Sequence, residues 1–468
     1  MTGDQGFFHS VRRIVPLAWP VLVGQVAVLG FSTIDTILVA RYSATDLAAL
    51  AVGSAIYITV FIGLMGVVLA ISPIVGQLHG AKRPTEAGHQ LHQAIWMALG
   101  LSLIGSAVLA FPMPFLALAK ASPQATEKVR GYLLILAFSL PASLLFTVFR
   151  GFNTAVSRPK AVMALQVAAL ALKFPLSMAL LSGMPAWGIP ALGVQGCAVA
   201  TLVAMWAQVL AAVVVLRLDR FYAPFELSLN RLKPMHAPSL KALLHLGLPI
   251  GLSVLIEVSG FAFMAVFIAR LGDLAVAGHQ LAANLISLMF MMPLALSNAT
   301  STLVAQSIGA NDVPAARRLC WHGWQLTLAV ALVMGAGVVA LREPILRVYT
   351  DNPAVIAAAL PLLAWVALFH AADAIQMLTA LALRAWRIAM VPMVIYAVAL
   401  WGVGMGGGYV LAFNVLGNTP PQWRGAVGFW TASTAGLVVA ATALTLLLAW
   451  VLRRSAQPPI SSAEHRPG

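Results

Sequence analysis

The sequence predicts an all-α integral membrane protein of about twelve transmembrane helices, in two six-helix bundles related by a pseudo-two-fold axis along the membrane normal. Three observations carry this reading. Of 468 residues, 61% are hydrophobic and 9% charged, with a mean hydropathy of +0.92; an ordinary soluble domain carries about 25% charged residues. Apolar stretches long enough for a crossing of about 20 residues recur about twelve times. The chain also resembles itself at an offset of about 229 residues, with an even number of spans per half, so both halves enter the membrane from the same side.

The first bundle, 1–216, holds spans at 14–40, 48–78, 91–119, 129–150, 161–183 and 191–216. A polar, basic connection at 217–241 links it to the second bundle, 242–452, with spans at 242–269, 274–307, 319–341, 354–383, 388–413 and 425–452. Segments of this length favour helices over a membrane barrel, whose strands are shorter and alternate in polarity. The repeat fixes their correspondence. Pro20 maps to Pro249, LVAR at 38–41 to FIAR at 267–270, VGQLHGA at 75–81 to VAQSIGA at 304–310, and Gly196 to Gly425. Prolines such as Pro73, Pro141, Pro175, Pro293 and Pro361 fall within spans, where each removes a backbone donor. The run WGVGMGGGYV at 401–410 offers packing faces through Gly402/Gly406 and Gly404/Gly408. The tail 453–468 is polar and proline-rich, and is expected to be disordered.

The formal charge of +14 reads as membrane topology, not as nucleic-acid binding. With the N-terminus inside, about 19 of the 28 Lys and Arg residues fall on the cytoplasmic side and about 8 on the other, which places both termini in the cytoplasm. No removable signal peptide is apparent at the N-terminus. Cys197 and Cys320 have neither disulfide nor metal spacing and read as packing residues.

Four charges survive inside the spans: Asp35, Lys173, Glu257 and Asp373. A charge near a bilayer centre costs roughly 2.5–3.5 kcal/mol even on the lenient insertion scale, and such residues mark pathways for ions or substrates. Glu257 and Asp373 stand near mid-span in the second half and could share one site; paired carboxylates there would hold a proton or a hard cation such as Na⁺. Lys173 lies roughly 6–8 Å from Asp35 along the membrane normal, within reach of a lysine side chain. His279 opens the eighth span, where a histidine is often solvated, and His370 stands three residues before Asp373 on much the same face; both read as polar packing residues.

The stretches QVAVLGFSTIDTILVARYSATDLAALAVGSA (25–55), LGLPIGLSVLIEVSGF, VAGHQLAANLISLMFMMPLALSNATSTLVAQSIGA (276–310) and DAIQ (373–376) resemble the multidrug and toxic compound extrusion (MATE) family, in its NorM-like bacterial branch. The resemblance implies an antiporter in the bacterial inner membrane. It would expel cationic amphipathic drugs or dyes against an inward flow of Na⁺ or H⁺. It further implies that Asp35 couples to proton or drug, and that Glu257 and Asp373 are the cation-site carboxylates, tentatively for Na⁺. Gln280, Asn284, Phe369, Phe261 and Phe290 would line the site or its cavity. Phe369 stands where such proteins often carry a tyrosine, so one hydroxyl ligand is lost. Lys173 and Ser177 stand where relatives often carry asparagines. A fixed ammonium beside Asp35 would supply a permanent counter-charge and make the first bundle a salt-bridged latch.

The alternative is a lipid-linked saccharide flippase of related fold. A pyrophosphate cargo calls for clustered Arg or Lys, whereas the spans hold three carboxylates and one Lys. An intramembrane enzyme finds no support, as neither HExxH nor GxGD occurs, and a channel fits paired repeats less well. The expected partners are the cationic cargo and membrane lipid, with no nucleic acid, no cofactor beyond the coupling ion, and a monomeric state.

Overall fold

The computed structural model describes residues 6–113, 116, 123–184, 188, 190–227 and 232–455. Twelve helices among them are long and apolar enough to cross a membrane. They are α1 (Phe7–Tyr42), α2 (Ala44–Gly80), α3 (Pro84–Ala110), α4 (Thr126–Ala155), α5 (Pro159–Ser182), α6 (Val194–Leu218), α7 (Ala237–Ala269), α8 (Asp273–Gly309), α9 (Val313–Ala340), α10 (Pro353–Ala385), α11 (Met390–Ala412) and α12 (Ala426–Arg454). The tail expected to be disordered lies outside the described residues from 456 onward.

Local chemistry sets the ends. Pro84, Pro159 and Pro353 open their helices, where a missing N–H costs nothing. Asp312 and Asn352 cap α9 and α10 by accepting from the backbone N–H of Ala315 and Ala354. The third span differs from its expected 91–119: it starts at Pro84 and stops at Ala110. Pro112 disfavours helical backbone at Phe111 and so ends the run there.

The sequence repeat recurs in the backbone. Lys82 (φ 56°) and Asn311 (φ 58°) adopt the left-handed conformation 229 positions apart, as do Gly188 (φ 68°) and Gly417 (φ 74°). At each of the first pair the next residue reaches back over the helix end, Arg83 N–H to the Leu78 carbonyl and Asp312 N–H to the Ser307 carbonyl. These are Schellman-type stops, and they close VGQLHGA and VAQSIGA in the same way.

In α11 the glycine run forms a π-helix over Ala397–Gly406. Gly404 and Gly408 face α12, the former against the Ser433 backbone and the latter against the Phe429 ring. Gly402 has no neighbour within 4 Å and Gly406 meets only its own Trp401 carbonyl. The expected Gly402/Gly406 packing pair therefore does not form, because i→i+5 winding rotates those positions away.

The chain divides into two compact units, Pro16–Val258 and Ser259–Gly468 with Met1–Val15. Both divisions fall inside helices, α1 and α7, and the described residues of the 217–241 connection belong to the Pro16–Val258 unit. In that unit Gly66 of α2 meets Gly251 of α7 so closely that a Cβ on Gly66 would lie 2.6 Å from the Gly251 Cα. In the other unit, Ser10 bonds His322 Nδ1 at 2.7 Å.

The described parts of the 217–241 connection dock on their own unit. A 3₁₀ turn at Arg220–Phe225 buries Tyr222 and Phe225. Asp219 caps it through the Phe221 N–H and pairs with Arg158, and these two donors hold its carboxyl below the ordinary range. Further on, Gln93 and Trp96 of α3 donate to the carbonyls of Pro234 and Lys233. A Cβ at Gly88 would collide with the Phe225 carbonyl oxygen. Gly88→Ala is therefore expected to cost roughly 1–3 kcal/mol, the usual range for overpacking. Limited trypsinolysis should show faster cutting at Arg217 and Arg220, with a lower melting temperature.

Candidate functional site

In the Pro16–Val258 unit, Asp35 and Lys173 form a buried ion pair. Lys173 Nζ donates to Asp35 Oδ2 at 2.8 Å and to the Phe31 carbonyl at 3.0 Å, and sits 4.7 Å from the Phe31 ring centre. Ser177 donates its hydroxyl to the other carboxylate oxygen at 3.2 Å. The one-turn spacing explains the arrangement: Phe31 and Asp35 share a face of α1, and Lys173 and Ser177 share a face of α5. Only 4% of Asp35, 2% of Lys173 and none of Ser177 is exposed. Cys197, read as a packing residue, is fully buried and its thiol faces the same carboxylate from α6. The ammonium thus has a carboxylate, a carbonyl and an aromatic face, the groups that hold a cation out of water.

The other unit carries Asp373 on α10, 6% exposed, accepting from Gln376 Nε2 at 3.0 Å. Contacts of Gly278 with Ala358 and of Ser301 with the Leu381 carbonyl hold α8 and α10 parallel in one register. That register sets Pro293 level with Asp373. Pro293 lacks the N–H that would bond the Met289 carbonyl, leaving a helix oxygen for other partners. One turn before Asp373, Phe369 packs against Trp430 at 5.4 Å between ring centres. Trp430 in turn donates to His279 Nδ1 at 3.2 Å, and Phe261 lies 5.7 Å from the His279 ring.

Gln280 and Asn284 sit on an exposed face of α8, with the Asn284 amide turned back to the Gln280 carbonyl at 3.1 Å. By the same register Asn284 stands about 13 Å from the level of Asp373, at 1.5 Å rise per residue. Phe290, three residues before Pro293, is partly buried. Glu257 lies partly buried on α7 within the Pro16–Val258 unit, whereas Asp373 belongs to the other.

His279 departs from the solvated reading, being 1% exposed inside the aromatic group. His370 is fully buried, and neither ring nitrogen makes a hydrogen bond, so it is not hydrogen-bonded to Asp373 here. A further buried charge escaped the sequence reading: Asp46, at the start of α2, is unexposed and paired with Lys128 of α4. It stands in the first turn of α2, after the Ser43 cap, and its pairing with a distant Lys reveals it. Among the described residues, no three His, Cys, Asp or Glu side chains gather as a polydentate metal site would need.

Twelve apolar helices, a repeated half and ionisable groups buried inside those helices define a polytopic membrane protein. The MatE family model matches residues 20–179 and 249–410, two segments that begin 229 residues apart. The chain belongs to the MatE family. A probable multidrug resistance protein NorM from Aromatoleum aromaticum is 39% identical over 454 residues, covering 97% of each chain. A MATE transporter of Vibrio cholerae shares the fold at a TM-score of 0.85 and 20% identity, over 96% of this chain and 98% of that one. A MOP superfamily transporter from Pyrococcus furiosus, described as having a binding pocket of reverse polarity that suggests a different function, superposes equally well at 0.85 and 18% identity, over 96% and 97%.

Proposed function

We propose that this chain is a multidrug exporter that moves cationic amphipathic compounds out of the cytoplasm in antiport with Na⁺ or H⁺ by alternating access. It acts as a monomer in a bacterial inner membrane, with both termini cytoplasmic. The observation that carries this reading is the sign of the intramembrane charge. Asp35, Glu257 and Asp373 lie well inside their spans, and the Lys173 ammonium, also well inside, is paired with Asp35. Carboxylates set well inside apolar helices suit a cationic cargo and a coupling cation. The full-length similarity to a protein named for multidrug resistance supports the same cargo class.

In this reading Asp373 is the coupling carboxylate of its unit, with Phe261, Phe369 and Phe290 as apolar lining. Gln280 and Asn284 lie on the exposed face of α8, and Glu257 is a coupling carboxylate of the Pro16–Val258 unit. Ion and drug exchange because each favours a different conformation or competes for the same carboxylates. The saccharide flippase remains the second reading, since a fold shared with a transporter described as having reversed pocket polarity does not choose the cargo. Pyrophosphate would need unpaired Arg or Lys within the spans.

Reconstituted transport tests the proposal. In proteoliposomes with Na⁺ and pH gradients imposed separately, an outwardly directed flux of a cationic dye is expected under at least one gradient. Neither gradient should move an anionic analogue. Dye flux indifferent to both gradients would overturn the antiport reading.

A further inference from the structure

The groups around the Lys173 ammonium are those that would receive a free cation. A carboxylate oxygen stands at 2.8 Å, a main-chain carbonyl at 3.0 Å and an aromatic ring at 4.7 Å, and a serine hydroxyl completes the carboxylate's own shell. Both charged partners are almost wholly withdrawn from solvent. The other titratable side chains facing this carboxylate are the Cys197 thiol of α6 and the Tyr132 phenol of α4, both neutral in their ordinary forms near pH 7. No second cation is needed to balance the group, because one ammonium and one carboxylate already cancel.

We propose that Lys173 is a tethered cation which fills the cation position of the Pro16–Val258 unit, so that Asp35 takes up neither Na⁺ nor a proton and the coupling ion is bound by other carboxylates. Lys173 thereby sets how many ions are exchanged in each cycle. Without the ammonium, Asp35 would face a buried site with only neutral donors, and desolvation would draw in either a proton or Na⁺. The consequence for stoichiometry rests on the antiport reading above, but occupancy of the site does not.

The test counts cations on purified protein in lipid nanodiscs, without transport. Wild type, Lys173→Asn and Asp35→Asn/Lys173→Asn are compared by ²²Na⁺ binding and by proton uptake in a weakly buffered titration between pH 9 and pH 5. Lys173→Asn is expected to bind one more cation equivalent per chain than the double variant, and the two readouts say whether it is Na⁺ or H⁺. Wild type and double variant are expected to match. An extra equivalent in wild type over the double variant would overturn the proposal, as would equal counts in Lys173→Asn and the double variant. If the single variant does not fold, the comparison of wild type with the double variant still decides. Failure of ion-driven dye flux in wild type would remove the antiport reading and leave this count untouched.

Discussion

Glu257→Gln combined with Asp373→Asn is expected to abolish ion-driven dye efflux, lowering the gradient-dependent rate by about 100-fold or more. An ion drives a conformational cycle only through its differential affinity for the two states, and a shift from 1:99 to 99:1 takes about 5.5 kcal/mol of it. Amides keep the shape of the side chains and remove the charge that supplies that difference. Asp373 suits the substitution: it is 6% exposed and bonded to Gln376, so an amide in its place retains a polar partner. The measurement is dye efflux from proteoliposomes under each gradient, with the size-exclusion profile and circular dichroism of the detergent-solubilised variant as the control for folding. Full efflux in the double variant would show that coupling resides elsewhere. Partial efflux in either single variant, with none in the double, would show that the two carboxylates share the task.

Much of this architecture could be read before any coordinates. Twelve apolar runs specify twelve helices because a bilayer leaves backbone groups no partner but their own helix. Lys173 was legible as a partner of Asp35 because helical rise alone sets their depths, and a lysine stem covers the difference. What stayed hidden depends on tertiary contact. Asp46 is buried by a lysine from 82 positions away, and no local pattern announces that. The 217–241 connection reads as an ordinary polar linker; its docking follows from Gly88 and the α3 donors, which look like helix residues and nothing more. The winding of α11 likewise decides which glycines face α12, and a glycine run fits either outcome. His279 was misplaced because an N-terminal position on a helix suggests water, whereas Trp430 covers it.

Breaking the Asp35–Lys173 pair from one side is expected to cost far more than removing both charges. Asp35→Asn leaves an ammonium with 2% exposure and no anion, and Lys173→Met leaves a carboxylate with 4% exposure that must draw in a proton or Na⁺. Removing one partner of a buried pair typically costs about 3–5 kcal/mol, while replacing both by well-packed neutral groups is often neutral or stabilising. Met suits the Lys stem, being unbranched and able to fill the space beside the Phe31 ring. The expected order of stability is therefore wild type near the Asp35→Asn/Lys173→Met double variant, with both single variants well below. Denaturant unfolding in detergent, read as a double-mutant cycle, measures it. A double variant as unstable as the sum of the singles would mean that the two side chains act independently, and the 2.8 Å contact would then contribute nothing to the fold. Recovery in the double variant would show that the pair is self-contained: a neutral unit inside the membrane, for which α1 and α5 need no ion from either side.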